Sequence, residues 1–188
     1  MASTPRIAKA VLASSLLLLV AACERPTLPA EAAARPPVPS SGRIAVAASP
    51  SGITSLLDVR GPMKFGDYVW NEAGAAAGPL TIRVDLERQL ISVFRGGDEI
   101  GTAVVLFGAE GKETPRGDFP IRQKAADYYS HTYDAPMPYM LRLTDDGVAI
   151  HASNVREGWA THGCVGVPMG FARKLFDAAR LGDKVSIS

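Results

Sequence analysis

Cys164 stands in the run Thr161-His162-Gly163-Cys164-Val165-Gly166-Val167, and two of the three histidines, His151 and His162, precede it closely. A thiol attacks an acyl carbon only as thiolate. It therefore needs a base to take its proton and donors for the oxyanion that forms. His151 closes Val148-Ala149-Ile150-His151, which reads as a strand presenting the ring at a sheet edge. His162 is two residues before the thiol. On an extended backbone that spacing places both on one face, where an imidazolium would favour thiolate. Gly163 leaves backbone amides open to an oxyanion. These types and spacings suit cysteine-nucleophile acyl transfer. Two other readings stay open: Cys164 as an inert small hydrophobe beside structural histidines, or His151, His162 and Cys164 as three ligands of a catalytic zinc.

The elements that must position these residues are mostly strands. Thr81 to Leu86 alternates as a half-buried strand, Gln89 to Arg95 is a second, and Glu99 to Phe107 a third after the turn Arg95-Gly96-Gly97-Asp98. Tyr139–Leu143 and Val148–His151 flank Asp145-Asp146-Gly147, another hairpin signal. Phe171, Leu175 and Ala179 repeat at helical spacing after Pro168, with Arg173, Lys174 and Arg180 facing away and Gly182 as the stop. Val185–Ile187 is a last short strand. The expectation is a mostly β domain over 79–188 with one C-terminal helix, large enough for a single core. The short spacing from His151 to Cys164 leaves a small loop, Ser153 to Ala160.

Upstream the composition changes. Residues 52–78 read as an N-terminal extension packed on the domain, with a strand-like patch at Phe65, Tyr68, Val69 and Trp70 and a loop from Gly74 to Gly78. Residues 23–51, with Pro26, Pro29, Pro36, Pro37, Pro39 and Pro50 among Ala and Ser, read as a semi-extended tether. Residues 1–22 read as a signal peptide: Arg6 and Lys9, then an apolar run too short for a comfortable membrane span. The ending Val20-Ala21-Ala22-Cys23 resembles the lipobox of bacterial lipoproteins, which implies cleavage before Cys23 and lipidation of its thiol. The expected location is the periplasm, membrane-anchored through Cys23. Glu24 points to the outer membrane by resemblance to enterobacterial sorting. Cys164 is then an odd thiol in an oxidising space, a liability unless it is used.

Composition excludes several classes. Twenty Lys plus Arg against nineteen Asp plus Glu give a net charge of +1, too balanced for a nucleic-acid binder. Two cysteines exclude a disulfide-rich scaffold. No cofactor is expected.

His151 followed by Thr161-His162-Gly163-Cys164-Val165 resembles the active-site signature of the YkuD-type L,D-transpeptidases. Thr114-Pro115-Arg116-Gly117-Asp118-Phe119 resembles that family's Thr-Pro-x-Gly-x-Phe segment. Ala135-Pro136-Met137-Pro138-Tyr139-Met140 resembles its stretch before the catalytic strand, and Ile82-Arg83-Val84-Asp85 with Gln89 its first strand pair. The resemblance covers Pro79 to Ser188. It implies a β-sandwich or barrel fold and acyl transfer on peptidoglycan stem peptides. Cys164 would be the nucleophile and His151 the general base and acid, oriented by the backbone carbonyl of Ala152. His162 and Gly163 would line the oxyanion hole. Two positions depart from the pattern: Ala152 stands where Gly or Ser is common, and Gly166 where the family usually has Arg. Arg142, Arg156 and Arg173 are candidates to replace that charge. A non-catalytic, lipid-anchored wall-binding protein is the alternative. An NlpC-type peptidase has its Cys before its His, and a sortase lacks the Thr-Pro segment.

Overall fold

The computed structural model describes residues 35–47 and 52–188. The signal peptide, Cys23 and most of the tether lie outside the described residues.

Two sheets carry the domain. Strand β4 (Leu80–Asp85) alternates buried and half-buried positions, with Ile82 and Val84 fully enclosed. It pairs antiparallel with β5 (Leu90–Arg95), which pairs with β6 (Asp98–Val104). The two-residue turn between β5 and β6 is Gly96-Gly97, both at positive φ (57° and 93°), the backbone that matches strand twist and that glycine adopts freely. Around this trio lie β1 (Ser40–Ala45), β2 (Ser55–Val59), β3 (Tyr68–Trp70), β7 (Gly117–Pro120) and β12 (Lys184–Ile187). They form one eight-stranded sheet in the order β1-β2-β6-β5-β4-β12-β7, with β3 also on β6.

The second sheet has four strands: β8 (Gln123–Ser130), β9 (Ala135–Arg142), β10 (Ala149–Ala152) and β11 (Val165–Val167), in the order β11-β10-β9-β8. Helix α1 (Met169–Ala178) packs on β9 and β10 and buries Phe171, Ala172 and Leu175. One core joins both sheets and the helix: Ile82, Val84 and Ile91 from the first meet Leu141, Ile150 and Val165 from the second. Phe171, fully buried, lies edge-on to Trp70 and Tyr68, at centroid distances of 5.4 and 6.2 Å. Burying that ring contributes about 1.5–3 kcal/mol. Among the described residues the fold is mostly β with one helix.

Strands β2, β7 and β11 had no counterpart in the sequence-based expectation, and four further features differ from it for a physical reason. Ser40–Ala45, placed in the tether, pairs with β2, because Arg43 donates from its guanidinium to the carbonyls of Glu99, Asn71 and Ala73 and pins the strand. Strand β8 was not expected: its outward half is almost wholly exposed, so it shows no alternation and is held by a long hairpin with β9. β9 begins at Ala135 despite Pro136 and Pro138. It bonds β10 only through Leu141 and Arg142, so its proline half is in effect an edge. The helix stops at Ala178, before Gly182, where Lys124 donates Nζ to the carbonyls of Phe176 (2.6 Å) and Ala179 and covers the C-terminal end.

Candidate functional site

Strands β10 and β11 run parallel, with Ile150 beside Val165 and His151 beside Gly166. Ile150, Ala152, Val165 and Val167 enter the main core, so Ala149, His151 and Cys164 belong to the opposite face. There Cys164 packs on a small cluster of Met137, Met140 and Ala149. One row of side chains therefore runs Arg142, Ala149, Cys164, and the next Met140, His151, Gly166. His151 is one diagonal step from the thiol.

Nδ1 of His151 lies 2.8 Å from the Ala152 carbonyl. A carbonyl only accepts, so Nδ1 carries the proton and Nε2 is left as the acceptor. Ser153 Oγ approaches the same nitrogen at 3.5 Å. Burial pushes the His151 pKa down, against the Ala152 bond that raises it. Burial likewise pushes the Cys164 thiol up. The Ala149 amide opposes that shift and the Asp146 carboxylate adds to it. The thiol faces the Gly147 carbonyl at 3.9 Å. Both shifts favour the neutral form of the group. This corrects the expectation of a thiol lowered by a nearby imidazolium: desolvation outweighs any cationic help here.

His162 does not serve the thiol as the extended-backbone argument required. Gly163 sits at φ 110°, which breaks the alternation between 162 and 164. The His162 ring is exposed and stacks on Tyr133 from the β8–β9 hairpin, with centroids 4.7 Å apart and planes 17° apart. With His162 engaged there, it does not meet His151 and Cys164 as a metal set. Among the described residues no three His, Cys, Asp or Glu side chains converge in that way. The Gly163 amide is not open either: it donates to Thr161 Oγ1 at 3.3 Å, and that hydroxyl donates to the Cys164 carbonyl at 2.5 Å.

The chain just after β6 clamps the Cys164 loop from both ends. Leu106 and Gly166 exchange both backbone bonds (2.8 and 2.9 Å), Thr161 donates to Phe107 (2.9 Å), and Ala109 donates to Thr161 (3.1 Å). Thr114 of the Thr-Pro segment accepts from the Gly108 amide at 2.9 Å and so folds the 108–114 loop. The Lys112 and Glu113 carbonyls of that loop lie against Gly163. Sequence reasoning missed the roles of Tyr133 and Asp146, because neither carries a local motif and both reach the site by tertiary pairing. Ser153 was legible only as a loop residue. Of the three candidate replacement arginines, Arg156 lies over Trp159 and donates to Asn154, and Arg173 is on α1 behind the sheet. Arg142 alone of these is on the face of Cys164.

The model of the YkuD L,D-transpeptidase catalytic domain family matches residues 79–187. No curated protein sequence matches the chain. Among solved structures, an L,D-transpeptidase from Stackebrandtia nassauensis is 27% identical, with a TM-score of 0.56 over 62% of this chain and 58% of that one. An L,D-transpeptidase from Mycobacterium smegmatis (20% identity, TM-score 0.54) and an L,D-transpeptidase in complex with imipenem (21%, TM-score 0.55) each align over 58% of both chains. These last two attest the fold. The chain spans 58% of the length of each of the three.

Proposed function

The chain belongs to the YkuD L,D-transpeptidase catalytic domain family, and from that premise we propose that it is a peptidoglycan L,D-transpeptidase with Cys164 as nucleophile and His151 as general base and acid. The observation that carries this reading is the fixed tautomer. With Nδ1–H held by the Ala152 carbonyl at 2.8 Å, Nε2 is the lone pair available to the neighbouring thiol. A neutral thiol beside a neutral imidazole suits attack with concerted proton transfer: Sγ bonds the carbonyl carbon between the L-centre of the diamino acid and the terminal D-Ala, and its proton moves to Nε2. The amides of Gly163 and Cys164 receive the oxyanion. The long bond from Gly163 to Thr161 is weak enough for a charged oxygen to replace. His151 then returns the proton to the departing D-Ala nitrogen, leaving a thioester. An amine acceptor attacks that thioester, His151 takes the amine proton, and the Cys164 thiol is restored. His162 supports the hole through its backbone, its ring being held by Tyr133.

The same reading places the protein in the periplasm, exported by residues 1–22 and anchored by lipidated Cys23, with the outer membrane as the site. A Cys23→Ala variant should leave the membrane fraction. Its retention there would remove the anchor.

The test of activity is intact mass spectrometry of the protein with a disaccharide-tetrapeptide. The expected result is a thioester on Cys164 with stoichiometric release of D-Ala, absent in Cys164→Ser. A folded wild-type protein that binds wall fragments and forms no acyl-enzyme would establish the non-catalytic wall-binding alternative instead.

A further inference from the structure

Arg142 ends β9 directly opposite Ala149 of β10, and Ala149 is in turn the neighbour of Cys164. Residues paired across antiparallel strands point to the same side, so the Arg142 side chain leaves the sheet on the face of the thiol. Its sequence neighbours Leu141 and Leu143 turn the other way, into the main core. Arg142 Nε is buried and has no hydrogen-bond partner, the one such side-chain atom among the described residues. Arg142 enters no ion pair among those residues either: the nearby Asp145 is taken by Arg122 at 2.9 Å. A guanidinium nitrogen taken out of water without an acceptor is costly, and one that awaits a ligand explains it.

We propose that Arg142 is the carboxylate-binding residue of this site, and that it holds the C-terminal carboxylate of the D-residue that Cys164 displaces. This rests on the transpeptidase reading above. Two strand spacings separate the backbones of Arg142 and Cys164, about 10 Å. The long, flexible arginine stem and the few bonds between a scissile carbonyl carbon and the carboxylate one residue on bridge that gap together. The residue between them is Ala149, fully buried beside Met137, Met140 and Cys164, so the incoming D-residue runs over that apolar patch to reach the guanidinium. Asp146 puts negative charge near the thiol, so an incoming carboxylate needs a cation there, and Arg142 supplies it in the site-face row with Ala149 and Cys164. The position two residues after Cys164 cannot do so: a Cβ on Gly166 would stand 2.8 Å from Ser153 Oγ and 2.9 Å from Ser153 Cβ. The arginine fork pairs with a carboxylate through two parallel bonds, which favours a free terminus over an amide or a longer peptide.

The test compares two tetrapeptide donors that differ only in a terminal D-Ala carboxylate or D-alaninamide, with kcat/KM for release of the last residue as readout. Wild type is expected to prefer the carboxylate by about 10- to 100-fold, the range of one charge-assisted pair. Arg142→Gln should lose that preference by slowing the carboxylate donor while the amide donor keeps its rate. Arg142→Lys, which preserves the charge but not the fork, should fall between. A preference unchanged in folded Arg142→Gln or Arg142→Lys overturns the proposal, as does a wild type with no preference. A wild type that acylates Cys164 with neither donor overturns the transpeptidase reading itself, and this subsite with it.

Discussion

Gly166 lies flush against Ser153: a β-carbon added at 166 would meet Ser153 Oγ at 2.8 Å. Ser153 in turn approaches His151 Nδ1, so residue 166, the loop after β10 and the His151 ring share one packed volume. The glycine is therefore a steric requirement of this chain. Gly166→Ala should cost about 1–3 kcal/mol by overpacking, read from urea unfolding. The cost should shrink by at least about 0.5 kcal/mol when Ser153→Gly is present, a coupling that a double-mutant cycle measures. Additive effects would mean that the two positions do not contend for space.

The half-buried thiol should be slow to alkylate. Burial and Asp146 hold Cys164 above the ordinary cysteine range, so the iodoacetamide rate at neutral pH should fall below that of a free thiol. Its pH profile should have a midpoint above about 8.5. Asp146→Asn should move the midpoint down. His151→Ala should leave it nearly in place, because a neutral imidazole adds no charge, while reducing turnover by about 10²- to 10⁴-fold. A midpoint that rises in His151→Ala would show an imidazolium–thiolate pair at rest.

A carbapenem presents a strained carbonyl, which suits attack by a thiol nucleophile. Incubation with a carbapenem should add the mass of one inhibitor to the intact protein, at Cys164, slowly and to completion, with little reaction from a penicillin. Cys164→Ser and His151→Ala should block or greatly slow it. A chelator should leave the rate unchanged, because the proposed chemistry uses only thiol and imidazole, whereas a zinc enzyme would lose it. Labelling that disappears with the chelator would restore the metal reading.

Two adjacent carboxylates should give stability opposite pH dependences. Asp98 accepts from Ser55, Thr54 and the Ala76 amide, which together hold it at about 2, against 3.8 for a free side chain. Its stabilisation is present above about pH 4 and is lost as pH falls toward 2. Glu99 is buried and accepts from the Leu57 amide at 2.9 Å, and burial lifts its pKa above 4.5. The folded state then binds its proton more tightly than the unfolded one, so stability falls as pH rises through that raised value. Unfolding midpoints measured against pH should show Asp98→Asn weakest relative to wild type at neutral pH and converging with it in acid. Glu99→Gln should match or exceed wild type at neutral pH. A Glu99→Gln protein that loses stability at pH 7 would mean the charged form is the one the fold prefers.

The sequence by itself determined the residues that carry short-range information. The alternation of Thr81–Leu86, the Gly96-Gly97 turn and the 171/175 spacing each encode one element, because period and turn chemistry act over a few residues. The run around Cys164 pointed to the family in the same way. Tertiary structure decided what depends on partners far along the chain. Tyr133 takes the His162 ring away from the thiol, Asp146 and burial set the thiol's charge, and Ser153 fills the space beside Gly166. Ser40–Ala45 and β8 became strands through Arg43 and through a hairpin partner, with no alternation of their own to announce them. Arg142 was one of three equivalent arginines in the sequence. Strand register alone put it two strands from Cys164, on the same face, because pairing in a sheet fixes both the neighbour and the side on which it stands.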